Sequence, residues 1–262
     1  MQTFAYQQPA SLAAAAQAAA AADAKIVAGG QTLLASMKLG LAAPSALVDL
    51  GGLAELKGIT VAGGEVRIGA MTTHAEVAAS SAVAAAIPAL ADLASHIGDR
   101  QVRNRGTIGG SLANNDPAAC YPAAVLGLGA TVHTDRRSIP ADQFFTGLYE
   151  TALAEGELIT SVSFPVPQQA GWQKFKQPAS RFSIVGVFVS RGPAGVRVAV
   201  TGAGPCVFRA SALEQALAAD WSAAAVSGLK FSADGLNSDL HGSADYRAAL
   251  IPVLAGRAVA AS

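Results

Sequence analysis

Apolar and polar positions along this chain change over in short bursts, and the bursts predict a mixture of helices and strands rather than one long repeat. Residues 11–23 are almost all alanine, the strongest helix former, with Ser11 placed after Pro9 as an N-cap. Residues 25–28 form a short apolar run of strand character that stops at Gly29-Gly30. Thr32 then caps a short helix carrying Leu33, Leu34 and Met37 and ending at Gly40. Residues 46–50 read as the next strand, completing a small βαβ unit with the usual right-handed crossover, and this first subdomain closes near Gly58.

From there the pattern shifts. Residues 59–62 and 65–68 predict strands around Gly63-Gly64, and residues 73–94 predict a mostly helical stretch broken at Pro88. Residues 105–110 read as a glycine-bearing loop, Asn114-Asn115-Asp116-Pro117 as a turn, and residues 118–128 as an apolar helix. Strands at 130–133 and 158–164 follow, and Pro165-Val166-Pro167 marks a boundary. Beyond it, residues 185–190 and 196–201 alternate as antiparallel strands, and residues 210–219 predict a helix. The expected organisation is an α+β chain of three units: 1–58, 59–166, and a small C-terminal α+β domain with an antiparallel sheet over 167–262.

Composition narrows the function. At 262 residues and 52% hydrophobic, the chain can bury one large core or two smaller ones. Lys plus Arg and Asp plus Glu each total 18, so the formal charge is zero and a polyanion such as nucleic acid is an unsuitable partner. Cys120 and Cys206 are too few for a disulfide framework, and an iron-sulfur cluster needs about four such ligands. The N-terminus lacks a basic secretory start. The alanine run, interrupted by Gln17 and Asp23, is too short to span a bilayer, so the expected location is the cytoplasm.

The candidate chemistry lies in two glycine segments, Ala28-Gly29-Gly30-Gln31-Thr32 and Thr107-Ile108-Gly109-Gly110-Ser111. Adjacent glycines let a backbone approach a ligand closely, and successive free N–H groups suit a pyrophosphate. Either segment alone is more often a plain turn. Neither is G-x-G-x-x-G, no P-loop is present, and Gly202-Ala203-Gly204-Pro205 reads as a strand-end turn. His74 and His96 have no partner at metal or triad spacing and read as surface or cap residues. Asp116 reads as a cap for the helix after it, Cys120 as a small buried residue, and Phe144, Phe145 and Tyr149 as packing aromatics.

In order and spacing, residues 28–34, Ile68-Gly69-Ala70-Met71-Thr72-Thr73 and residues 101–112 resemble the FAD-binding medium subunits of the xanthine dehydrogenase and aerobic carbon monoxide dehydrogenase family, the molybdenum hydroxylases. Phe144-Phe145-Thr146-Gly147 and Phe175-Lys176-Gln177 extend the likeness, which reaches about Gly204. It implies a two-subdomain FAD-binding domain of the vanillyl-alcohol-oxidase (PCMH) type. In that fold Ala28, Gly29, Gly30, Gln31, Thr32 and Leu33 would hold FAD, with Thr107, Ile108, Gly109, Gly110 and Ser111 opposite. Asp116 would border the cofactor, Ile97 and Ile159 would be apolar contacts, and Lys176 a cation that raises the flavin potential. Cys120 departs from the family, whose members usually carry Asp or Glu there, and a neutral thiol is a weaker acceptor than a carboxylate.

The resemblance also implies partners: a small subunit with 2Fe-2S clusters and a large subunit with a molybdenum-pterin cofactor, assembled as a dimer of heterotrimers. An electron-transfer subunit is the leading expectation, because the sequence offers no paired carboxylates or activated nucleophile to attack a substrate. A self-sufficient flavin oxidase and a non-catalytic FAD-binding protein are the alternatives. Substrate and terminal acceptor stay open.

Overall fold

A computed structural model of the chain describes residues 3–193 and 195–262. The first unit contains β1 (Ala5–Gln7), α1 (Leu12–Ala19), β2 (Ala24–Val27), α2 (Leu33–Lys38) and β3 (Ala46–Asp49). Ser11 caps α1 by accepting from the Ala14 N–H at 3.3 Å. β2 and β3 pair in parallel across α2, which is the expected βαβ unit; β1, absent from the sequence reading, adds a third parallel strand on the far side of β3. Thr32 occupies the N-cap position of α2 but makes no capping hydrogen bond, contrary to the expectation.

The second unit runs through β4 (Ile59–Ala62), β5 (Glu65–Gly69), α3 (His74–Ala79), α4 (Ser81–Ala86), α5 (Pro88–Ser95), α6 (Arg100–Arg105), α7 (Ile108–Asn114), α8 (Tyr121–Leu128), β6 (Thr131–Thr134), β7 (Ser138–Pro140), α9 (Ala141–Phe144), β8 (Phe145–Gly147), β9 (Glu150–Thr151) and β10 (Ile159–Pro165). Its main sheet is antiparallel, in the order β4-β5-β10-β6-β7. The helical stretch breaks at Ser80 as well as before Pro88, and α3 opens with a reciprocal capping box between Thr73 and Glu76. The glycine-bearing loop expected at 105–110 is mostly helix. α6 fills residues up to Arg105, and Gly109 and Gly110 lie in the first turn of α7, capped by Thr107.

The third unit comprises β11 (Gln169–Lys176), β12 (Ser183–Gly192), β13 (Gly195–Thr201), β14 (Phe208–Arg209), α10 (Ser211–Ala219), α11 (Ala223–Ser227) and α12 (Ala244–Ala260). Its antiparallel sheet has the order β11-β12-β13-β14, with α12 packed on β11 and β12 and α10 on β13. The join to the second unit is α8. Every residue of this helix is buried, as expected of a helix apolar on all faces, and it packs against β12 and β13. Ser190 and Arg197 from those strands donate to the Gly127 and Leu126 carbonyls at its C-terminal end, at 2.7 and 2.9 Å.

Candidate functional site

The glycine segments meet. A Cβ on Gly29 would lie 2.1 Å from the Arg105 carbonyl oxygen and 2.8 Å from Gly106 Cα, so the turn after β2 is pressed against the link between α6 and α7. A Cβ on Gly110 would lie 3.4 Å from Ala28 Cβ. Gly30, at φ +72°, takes the left-handed conformation that lets the chain leave β2 and enter α2.

The two segments differ in what they offer. Among the described residues, no hydrogen bond engages the N–H groups of Gly29, Gly30, Gln31, Thr32 or Leu33. Five successive donors there are open to a ligand. In the second segment the Ile108 and Gly109 N–H groups donate to the Thr72 and Ala70 carbonyls at 3.1 and 2.8 Å, and the Gly110 N–H donates to Thr107 Oγ1. What remains for a ligand from that side is close approach, the Thr107 N–H and the hydroxyls of Thr107 and Ser111.

Both segments wall a cavity of about 710 Å³ to which all three units contribute. Ile26, Val27 and Leu50 reach it from the first unit. Met71, His74, Ile97, Val102, Asn114, Asp116, Cys120, Leu153, Glu157, Leu158 and Ile159 come from the second, and Lys174, Ser180, Arg181 and Phe182 from the third. That volume is large enough for a dinucleotide-sized ligand.

A family described as the FAD binding domain in molybdopterin dehydrogenase matches residues 2–167. The chain belongs to this family. The nicotine 6-hydroxylase medium subunit of Paenarthrobacter nicotinovorans is 38% identical over 269 residues, covering 97% of this chain and 95% of that protein. The carbon monoxide dehydrogenase medium chain of Hydrogenophaga pseudoflava is 35% identical, covering 99% and 96%. Among solved structures, carbon monoxide dehydrogenase from H. pseudoflava superposes with a TM-score of 0.87 at 34% identity, covering 99% of this chain and 97% of that one. Quinoline 2-oxidoreductase from Pseudomonas putida 86 gives 0.88 at 32%, covering 99% and 96%. The chain is thus a FAD-binding medium subunit of the molybdenum hydroxylase family, within the oxidoreductases, and its α+β fold is that of carbon monoxide dehydrogenase medium subunits.

The residues present fit this family's cofactor: the open N–H row and the gap that a Cβ at Gly110 would narrow form a cradle suited to a pyrophosphate. Of the residues singled out from sequence, Ala28, Gly29, Gly30, Gln31, Thr32, Leu33, Ile97, Thr107, Gly109, Gly110, Ser111, Asp116, Cys120 and Ile159 line the cavity. Ile108 and Lys176 do not. The helical turn of α7 directs Ile108 into the core, where it is fully buried. Lys176, the last residue of β11, is exposed and outside the cavity lining, while Lys174, two residues earlier on the strand, lines it.

Other local roles also change. Asp116 accepts from the Ala118 N–H at 2.8 Å, which stabilises the Pro117 turn; the N-cap of α8 is Cys120, because the helix starts three residues later than expected. Cys120 is buried, at 4% exposure, yet it also faces the cavity and accepts from Lys174 Nζ at 3.3 Å. Phe144 is core and packs edge-to-face on Phe145, while Tyr149 is exposed. His96 is exposed beside Asp92, but His74 is neither surface nor free to cap: it is 5% exposed against Gly106 and Tyr121.

Sequence reading missed Lys174, His74 and Glu157 as cavity residues. Burial, with the nearby Arg103 cation, holds the His74 imidazole down at about 4 instead of 6.5. Glu157 is held at about 2 instead of 4.5, chiefly by the Arg137 guanidinium, whose Nε and Nη2 each lie 2.9 Å from it, with the Ala154 N–H and Thr134 hydroxyl assisting. Both folded forms bind protons less readily than the unfolded chain, so stability is full above pH 6.5 and falls as pH drops. The His74 share is lost between about 6.5 and 4 and the Glu157 share between about 4.5 and 2. Thermal unfolding from pH 7 to 4 should fall less steeply for His74→Gln than for wild type; parallel slopes would refute the His74 contribution.

Proposed function

We propose that this chain is the electron-transferring medium subunit of a heterotrimeric molybdenum hydroxylase, holding FAD in the cavity between its three units. Electrons would arrive from the 2Fe-2S clusters of a small partner subunit and leave for a terminal acceptor. A large partner subunit carrying the molybdenum-pterin cofactor would oxidise the substrate, and two heterotrimers would associate in the cytoplasm. Residues 1–58 and 59–166 are read as the two halves of the FAD-binding domain and 167–262 as its C-terminal companion. The observation that carries the reading is the meeting of two distant glycine segments at one cavity, with a row of uncommitted N–H donors on one of them.

When bound, FAD supplies the exchange between one-electron and two-electron carriers. The chain's part is to bind and orient it. The N–H groups of residues 29–33 would donate to the pyrophosphate, assisted by the Thr107 and Ser111 hydroxyls, and Ala28 and Gly110 set the width of the gap. Ile97 and Ile159 would exclude water from the rings, while Asp116 and Cys120 border the site. With Cys120 and Cys206 as its sole cysteines, the chain cannot itself supply about four cluster ligands, so the clusters are assigned to the partner.

The test is purification of the tagged chain from a host that supplies its partners, with flavin and metal analysis. The expected result is about one FAD per chain, with molybdenum and iron on separate co-purifying chains. Substrate should reduce the flavin only when all three subunits are present. A chain that neither carries nor takes up FAD, or that oxidises substrate unaided, would overturn the proposal.

A further inference from the structure

The turn that carries the open N–H row leans on a third glycine. Gly29 presses on the Arg105 carbonyl and on Gly106 Cα, and Gly106 in turn is closed off by the side chain of His74. A Cβ at position 106 would lie 2.5 Å from His74 Nε2 and 2.8 Å from His74 Cδ2. At φ −60° and ψ 139° the backbone there suits any residue. The imidazole, not the local conformation, therefore demands a glycine.

Main-chain bonds hold the two residues together. The His74 N–H donates to the Gly106 carbonyl at 2.9 Å, the Gly106 N–H to the Val102 carbonyl at 2.7 Å, and Thr73 and Thr107 form an isolated antiparallel bridge. The Tyr121 ring packs on the imidazole, with centroids 5.3 Å apart and planes tilted by 52°. Gly29, Gly106 and His74 line the cavity, whereas Tyr121 is fully buried outside the lining. His74 Nδ1 has no hydrogen-bond partner among the described residues, and burial beside Arg103 keeps the ring neutral at pH 7. Its grip on its neighbours is therefore one of contact and shape.

We infer that His74 is a positioning residue for cofactor binding: its imidazole, packed on Tyr121, props Gly106 against Gly29 and so fixes where the N–H row of residues 29–33 stands. The inference rests on the FAD reading above. The thickness of the layer formed by Gly106, His74 and Tyr121 sets how far the turn stands from the second unit. It thereby sets the distance from the N–H row to Thr107 and Ser111 across the gap. Donors held in place beforehand need no reordering when a pyrophosphate arrives, and that preorganisation is what His74 contributes to affinity.

The test uses the full chain purified with its partners, stripped of FAD and titrated with it well below its melting temperature, so that a loss of stability alone leaves the readout unmoved. His74→Ala should weaken FAD affinity by about tenfold, because the turn must then be ordered on binding. Gly106→Ala, whose added methyl meets the imidazole, should weaken it by about the same factor. Combining the two should bring affinity back to within about threefold of wild type, since the methyl at position 106 fills part of the space that the imidazole leaves. Rescue of this kind separates shape from general destabilisation, which would accumulate in the double variant. A double variant that binds no tighter than either single one overturns the positioning role. So does Gly106→Ala with wild-type affinity, a result that decides the matter even if His74→Ala does not fold. A wild-type chain that takes up no FAD is a different failure, and overturns the reading of the cavity itself.

Discussion

Gly110→Val is expected to leave the chain folded and strip it of FAD, weakening retention by about a hundredfold or more, roughly 2.7 kcal/mol. Gly109→Val, one residue earlier, is expected to cost the fold instead. A Cβ at position 110 meets Thr107 Oγ1 at 3.0 Å and Ala28 Cβ at 3.4 Å, contacts that side chains can relieve; the branch methyls would then occupy the gap between the two glycine segments. A Cβ at 109 would lie 2.6 Å from Ala70 Cβ and 2.8 Å from the Ala70 carbonyl oxygen, the same oxygen that accepts the Gly109 N–H. Backbone held by its own hydrogen bond cannot retreat, so the strain falls on the joint between β5 and α7. Flavin absorbance after gel filtration, beside thermal unfolding of the FAD-free proteins, separates the two outcomes. Gly110→Val protein that keeps a full complement of FAD would remove Gly110 from the cradle.

The contrast between these neighbours also marks how far sequence alone could see. Both were visible as one diglycine, because adjacent glycines before an apolar run are a local signal. Which glycine faces a ligand and which faces Ala70 depends on a contact across about forty residues of chain, invisible in the local pattern. The same division runs through the fold. β2, α2 and β3 were legible because apolar period and glycine stops coincide, and α8 because it is apolar throughout. β1 was not, since its residues are all exposed and only its pairing with β3 makes it a strand. Nor was α6, which buries nothing and depends on the Asp99 cap, accepting from the Val102 N–H at 2.8 Å. Lys174 was passed over for Lys176 because the likeness runs through Phe175-Lys176-Gln177 and only the fold shows that β11 ends beyond the cavity, and Glu157 because Arg137 and Thr134 come to it from a separate strand turn.

Arg247→Met should lower stability by about 3 kcal/mol or more, a fall in melting temperature of roughly 6–12 °C, and weaken FAD binding although the residue lies outside the cavity lining. Arg247, on the first turns of α12, is 3% exposed. Its Nη1 donates to the Ile184 and Gly202 carbonyls at 2.6 and 3.0 Å, its Nε to the Gly242 carbonyl at 3.3 Å, and its Nη2 to both oxygens of Asp239 at 2.8 Å. Methionine fills similar space and satisfies none of these acceptors, so buried carbonyls lose their partner. The loss reaches the cofactor site through the strand ends those carbonyls belong to. The Ser183 and Gly202 N–H groups donate to the Ala118 and Pro117 carbonyls at 3.3 and 2.8 Å, and Thr201 Oγ1 donates to the Pro117 and Ala119 carbonyls at 3.0 and 2.7 Å. Loosening that frame releases residues 116–120, which wall the cavity at Asp116, Ala118, Ala119 and Cys120. Because FAD stabilises only the folded chain that binds it, the gap in melting temperature between wild type and Arg247→Met should widen when FAD is added. An equal gap with and without FAD would mean that α12 supports the third unit alone and that the cavity wall stands independently of it.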